Sequence, residues 1–517
     1  MTWLALALLP LLLVAVTLLV ADRVRRVPSP HTVRGLSVLG ALAAAVGVVG
    51  TVWARPALDV SWIPALGVRL NLAVDGISAP LLLLTAGAGL VATVLRHTVP
   101  SPSPSVGTGE QARTAPITGA GVPGLATYHG CLQLVLFGAL LTFLTRDALV
   151  FFVGFELVLV PMWVLVSRHG DPTRAAARDG AALRFLLVTA TGSTLMLVGI
   201  LAIGTASGST DLDRWAELAG GSMGNGQQAA IAGLMLFGLG LKIPIWPLHT
   251  WLPWVHSTAP TAGSVLLAAV LLKMGTYGIV RLVLPGVPDG FATLSPALAA
   301  CAVTGIVWAG LACLVERDLK RLIAWSSIAH LGFVVLGLAS GTATGLQAAL
   351  FGNIAHGVIS ALLFVVVGGL KDRWGSTDLT VARAALREVS PRLGFAIVVG
   401  MAASMGLPGL AGFWGEFGAV YSAWAPAPDR PAGWFQVFAV TAAVGAAIAA
   451  AYAVRVLREV WAGERVTPLV SDADPTETVL VGMLALAILA LGVYPGPVLE
   501  LTAPVVDTLV GLGAGAR

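Results

Sequence analysis

The chain alternates between apolar runs of about twenty residues and short polar connectors, the length period of a bilayer rather than of a soluble core. Runs long enough to span lie at 2–21, 35–54, 76–95, 126–145, 148–167, 183–205, 228–250, 262–283, 293–315, 320–340, 345–370, 393–424, 433–457 and 476–496. The pattern predicts an all-α polytopic membrane protein of about fourteen transmembrane helices. Two runs are interrupted. The 228–250 run carries Pro244 and Pro247 just after Lys242, and the 393–424 run is too long for one straight span, with Gly406-Leu407-Pro408-Gly409 at its middle. Proline removes a backbone donor and frees the carbonyl four residues earlier, so both places predict broken helices.

Breaks at corresponding places in two halves point to inverted repeats. Pro244 and Pro408 lie 164 residues apart (408 − 244), five helices along the chain. An odd helix count reverses topology, so helices 4–8 and 9–13 are expected to be inverted copies broken at helices 7 and 12. That expectation rests on spacing and on the breaks, since no residue-level repeat is evident. It divides the chain into 1–125, 126–283, 284–460 and 461–517.

Composition agrees with a lipid solvent: 57% of the 517 residues are hydrophobic and 11% charged, too few charges to cover a soluble surface. The first run has no basic segment before it and reads as a retained helix rather than a cleaved signal. Of the 30 Lys and Arg residues, 21 fall around loops that follow odd-numbered helices and 7 around the other loops and the tail, leaving two inside helices. By the positive-inside rule the odd-to-even loops face the cytoplasm and both termini face out, in a bacterial plasma membrane. Segment 100–124, rich in Pro, Ser and Gly, reads as a flexible loop, and 371–392 as a loop with a short surface helix around 379–389.

Cys131, Cys301 and Cys313 are too few for an iron–sulfur cluster and lack zinc-ligand spacing, so they read as small buried hydrophobes. No Walker A sequence or strand-linked GxGxxG supports nucleotide binding, and the dispersed arginines do not suggest a nucleic-acid partner.

The chemistry lies in six ionisable residues inside apolar runs: Glu156, Lys242, Lys273, His330, His356 and Glu416. Each is costly at the bilayer centre unless it faces water or a partner. Only four lysines exist, Lys242, Lys273, Lys320 and Lys371, against twenty-six arginines. Arginine therefore serves wherever a plain positive charge suffices, and lysine inside a helix marks a group that must gain and lose a proton. Glu156 is a natural movable partner for Lys242, with a static buried pair as the alternative. His330 and His356 stand mid-span on adjacent helices with the intrinsic pKa of a relay. Glu416 is a candidate acceptor at the exit end. His249 and His256, near Trp246, Trp251 and Trp254, read as residues of the membrane interface rather than metal ligands.

The stretches Leu241-Lys242-Ile243-Pro244 through His249-Thr250-Trp251-Leu252-Pro253 and Ala259-Pro260-Thr261-Ala262-Gly263-Ser264 closely resemble one family. So do Asp318-Leu319-Lys320-Arg321 through His330-Leu331-Gly332 and the run 151–163. It is the family of proton-translocating antiporter-like subunits of respiratory complex I (NADH-quinone oxidoreductase) and of multisubunit cation/proton antiporters. Gly415-Glu416 and Asp75-Gly76-Ile77-Ser78 resemble the M-subunit branch, which has glutamate at the place of Glu416, whereas the largest antiporter-like subunit and the antiporter subunits have lysine there. Trp254 departs from the aspartate common in the family.

The resemblance implies a coupling pair in Glu156 and Lys242, a bridging lysine in Lys273, a central relay in His330 and His356, and a terminal acid in Glu416. It also implies partners, the other membrane-arm subunits of complex I, with NADH, FMN, iron–sulfur clusters and quinone held there and no cofactor in this chain. Translocase activity would belong to the whole complex. Alternatives are a subunit of a sodium/proton antiporter, a subunit of an energy-converting hydrogenase, or a passive assembly subunit with frozen charge pairs.

Overall fold

In the computed structural model residues 1–95, 124–218, 223–380, 385–463 and 471–515 are described. Most of the 100–124 loop and part of the loop that follows Trp374 lie outside them; of the surface helix expected there, Leu386–Val389 is helical. The molecule is an all-α, multi-pass membrane protein whose one β-hairpin among the described residues pairs Leu58–Ile63 with Val68–Leu72, antiparallel.

Eleven described helices are long and apolar enough to cross a membrane. Three expected spans are not among them. Ser78–Val94 is short, Asn225–Lys242 stops at its lysine, and the 393–424 run divides into Pro391–Ser404 and Gly412–Trp424. A further helix, Gly496–Gly515, follows the last expected span.

The helices differ widely in burial. Thr261–Gly286 is the axis, its most apolar stretch wholly buried, whereas the corresponding stretch of Pro475–Val493 is only 22% buried. Ser78–Val94, Asn225–Lys242 and Ala343–Trp374 pack against it. Outward-facing leucine and valine on the peripheral helices, such as Leu13, Val16, Leu39 and Leu486, are exposed as a lipid-facing surface requires. Cys131 and Cys313 are buried and Cys301 is half-buried.

Two turns of identical sequence hold this frame. Gly208-Ser209-Thr210-Asp211-Leu212 and Gly375-Ser376-Thr377-Asp378-Leu379 each follow a long helix, Ala175–Ser207 and Ala343–Trp374. Gly208 and Gly375 terminate those helices with φ of +68° and +69°, a conformation open to glycine. Each turn then clasps the start of another helix. Ala148 N donates to Thr210 O at 2.8 Å and Leu319 N to Thr377 O at 2.9 Å. The Thr210 hydroxyl donates to Asp147 at 2.7 Å, and the Thr377 hydroxyl to Asp318 at 2.9 Å. Both aspartates also cap their helices, Asp147 accepting from Leu149 N and Val150 N, Asp318 from Arg321 N.

Candidate functional site

The axial helix is built to carry a lysine. Widened π-type turns at Leu267–Leu271 and Ile279–Val283 flank Leu272–Gly278. Such turns displace carbonyls from the regular ladder and often mark functional positions. The Ala268 carbonyl accepts from Lys273 Nζ at 2.5 Å. Lys273 is wholly buried, and its Nζ also meets His356 Nδ1 at 2.5 Å.

From there a polar string crosses to the neighbouring helices. His356 Nε2 meets Ser360 Oγ at 3.1 Å, and its ring centroid lies 5.9 Å from that of His330. His330 binds Glu416 Oε1 through Nδ1 at 2.7 Å and Ser404 Oγ through Nε2 at 2.7 Å, with Tyr452 Oη at 3.4 Å. His330, His356 and Glu416 line one small cavity. Gly406 turns the chain with φ of +66°, a conformation open to glycine, and packs beside Glu416 Oε2. Ser404 and Glu416 come from opposite sides of one helix interruption, so the break brings both to the same histidine.

Lys242 ends its helix immediately before the other interruption, and the chain resumes helix at Trp251. Pro244 leaves its neighbours' carbonyls to find new donors. Ile245 N turns to Gly240 O at 2.9 Å, and the Trp251 indole donates to Leu241 O at 2.9 Å. Lys242 is buried, its Nζ 4.6 Å from the centre of the Phe155 ring. Glu156 attracts it electrostatically, but among the described residues the two form no ion pair within 4.0 Å. No hydrogen bond links Lys242 to Lys273 either. Thus Lys273, His356, His330 and Glu416 come together as one string, while Glu156 and Lys242 stand apart as a separated pair.

Sequence reasoning missed Lys320 and misplaced His256, His249 and Trp251. Lys320, counted as a loop charge, is buried and donates to Ala259 O at 2.6 Å. His256, expected at the interface, has no exposed surface. It stacks on Phe364 at 4.5 Å, neither ring nitrogen has a hydrogen-bond partner, and both Lys320 and Lys273 act on it electrostatically. His249 and Trp251 are buried as well, so only Trp254 of that group is substantially exposed. The reason is helix packing, because Trp251–Thr258 lies against Ala175–Ser207 and Leu319–Ala339. Beside Lys320, Asp171 binds Lys371 at 2.5 Å and Asp318 binds Arg174 at 2.5 Å. Burial opposes ionisation of Asp171, but hydrogen bonds from Lys371 and Thr173 outweigh it and hold the carboxyl below the usual range. The signal for Lys320 was in the sequence, as a lysine in a chain that otherwise chooses arginine.

A second ion cluster sits at the end of the axial helix beyond Tyr277. Asp75 pairs with Arg281 and, at 3.0 Å, with Arg146. Burial opposes ionisation of Asp75, but the two guanidinium groups overcome it and hold its carboxyl far below the usual range. Among the described residues no group of three or more His, Cys, Asp and Glu side chains converges as a metal site.

The family model for NADH:quinone oxidoreductase/Mrp antiporter transmembrane proteins matches residues 145–444. NAD(P)H-quinone oxidoreductase chain 4 1 of Synechococcus sp. (strain JA-3-3Ab) is 36% identical over 84% of this chain and 78% of its own length. NADH-quinone oxidoreductase subunit M of Rhodobacter capsulatus is 35% identical over 71% of this chain and 72% of its own. A chain of respiratory complex I from Thermus thermophilus superposes with a TM-score of 0.83 at 26% identity, covering 98% of this chain and 99% of that one.

Proposed function

We propose a proton relay through this chain, which belongs to the NADH:quinone oxidoreductase/Mrp antiporter transmembrane family. The chain is a proton-translocating membrane-arm subunit of the complex I type, working with other membrane subunits in the bilayer. The redox energy reaches it from partner subunits that hold NADH, flavin, iron–sulfur clusters and quinone, and its place among them is that of subunit M.

In this reading protons enter from the cytoplasm near Asp171, Lys371 and Lys320, pass His256, load Lys273, and move through His356 and His330 to Glu416 at the exit. The observation that carries it is the run of contacts Lys273–His356, His356–His330 and His330–Glu416, ionisable groups that pass from the fully buried lysine to the half-buried glutamate. Stability alone favours apolar replacements for such groups. Lys242 and Glu156 set the charge that this string responds to. When the two approach, the carboxylate holds a proton on the lysine; when they part, the lysine repels positive charge in its neighbourhood.

The frame proposed around the relay is fourteen spans, with helices 4–8 (126–283) and 9–13 (284–460) as inverted copies broken at Pro244/Pro247 and at Pro408. Residues 1–125 and 461–517 flank the copies, and both termini face outward from a bacterial plasma membrane. The repeated Gly-Ser-Thr-Asp-Leu turns support the inversion. Each joins the second and third helices of its copy, and the turns lie five helices apart.

In reconstituted vesicles, Lys242→Ala and Glu156→Gln should each remove most redox-driven proton transfer while the complex still assembles. Undiminished pumping by either would overturn the relay.

A further inference from the structure

We propose that the face of the Phe155 ring is the resting seat of the protonated Lys242 side chain, which makes Phe155 a positioning residue that holds the ammonium out of contact with Glu156. The inference rests on the relay reading and adds a mechanism for keeping its coupling pair apart.

Lys242 Nζ lies 4.6 Å from the Phe155 centroid, within the range where a cation is attracted by the negative face of an aromatic ring. Both partners are only 2% exposed, and the attraction is strongest when water is excluded from both. Glu156 is the next residue on the same helix. Consecutive helical side chains diverge by about 100°, so ring and carboxylate present two alternative sites to one flexible lysine. The first is occupied.

The seat is fixed from behind. Phe155 stacks on Phe151 at 5.9 Å, and Phe151 stacks on Tyr277 at 6.1 Å with planes 18° apart. The Tyr277 hydroxyl donates to Phe143 O at 3.1 Å and accepts from Arg281 Nε at 3.0 Å. Tyr277 lies one turn beyond Lys273 on the axial helix. The stack therefore joins the seat of one relay lysine to the helix that carries the next, and a shift of either is felt at the other.

The test replaces Phe155 in the assembled complex by leucine, by tyrosine, and by phenylalanines bearing one, two and three ring fluorines. Fluorination drains the negative ring face with little change of shape. Redox-driven proton translocation should fall about thirtyfold for Phe155→Leu, the size of a desolvated cation–ring contact. It should stay near the native rate for Phe155→Tyr and decline stepwise, on a logarithmic scale, with each fluorine. A flat fluorine series overturns the seat, whether or not Phe155→Leu is impaired, because a packing role alone would be indifferent to ring charge. Lys242→Ala in the same vesicles separates the two failures. If it pumps normally the relay reading falls; if it is inactive while the fluorine series is flat, only the seat falls.

Discussion

The two helix interruptions are alike in frame and opposite in chemistry. Each lies in the helix after an identical Gly-Ser-Thr-Asp-Leu clasp or its helical neighbour, and each uses a tryptophan of its restarted helix to satisfy a carbonyl. Trp251 donates to Leu241 O at 2.9 Å, and Trp414 to Gly492 O at 2.7 Å. The first interruption has a base before the break, Lys242, whose acid is out of reach. The second has an acid after the break, Glu416, with its base His330 in hand at 2.7 Å. On the inversion proposed above, one scaffold is kept where it holds helices together and changed where the relay is proposed. In that proposal the separated pair switches and the joined pair conducts.

The largest test of that contrast is Glu416→Gln. It preserves shape and the contact with His330 but removes the charge, so the joined pair can no longer pass a proton onward. We expect translocation to drop at least tenfold, on the order of the loss seen when a proton-transfer group is removed, with little change in assembly. Nearly native pumping would return Glu416 to a structural role and dissolve the contrast.

The shared scaffold is tested at the clasps. Asp147→Ala and Asp318→Ala should each cost about 2–3 kcal/mol in the thermal or detergent stability of the complex, because each removes a charged cap that also binds a threonine. Asparagine separates them. Asp147 accepts from neutral donors, the backbone of Arg69, Leu149 and Val150 and the Thr210 hydroxyl. Asp147→Asn should therefore cost under about 1 kcal/mol. Asp318 also binds Arg174, so Asp318→Asn should cost more, about 1–2 kcal/mol. Equal costs would mean the clasps are duplicated in energetics as well as in sequence.

Eleven of the expected spans, the six ionisable residues within apolar runs and the prolines at 244, 247 and 408 were legible because each shows in one dimension, as a long apolar run or a charge or proline within one. Lys320 and His256 were not. Both stand in the first or last turn of a helix beside polar neighbours, where sequence cannot tell the buried face from the wet one. The repeated pentapeptide was visible as letters, yet its meaning lies in Asp147 and Asp318, each about sixty residues earlier in the chain. The Phe155 seat is similarly a matter of where one flexible side chain rests, which no periodicity reports.

Acid should loosen the two ion clusters in order. Asp75 and Asp171 both have carboxyls held below their unfolded range by partners. A depressed folded pKa gives stability that is complete above the unfolded value, about 3.9, and lost as pH falls through the folded value. Asp75, with two guanidinium partners, lies lower, so acidification below about pH 4 should release Asp171 and Lys371 first. Asp171→Asn should flatten that first loss, worth about 1–2 kcal/mol, and leave the later one in place. Amide exchange near Thr173 against exchange near Ile77 reads the order.

The smallest effect tests whether the two tryptophan contacts are equivalent. Trp251→Phe leaves the Leu241 carbonyl without its donor, at a cost of about 1 kcal/mol. Trp414→Phe does the same to Gly492. The difference lies in what stands next to each carbonyl. Leu241 precedes Lys242, so losing its anchor frees the lysine's own backbone, whereas Gly492 belongs to the peripheral helix Pro475–Val493, which carries no relay residue. Equal small losses of stability should therefore accompany unequal losses of function. Trp251→Phe should lower the proton yield per electron pair and Trp414→Phe should not. If both variants pump with native yield, the backbone at the first interruption does not position Lys242, and the ring of Phe155 is left as its only guide.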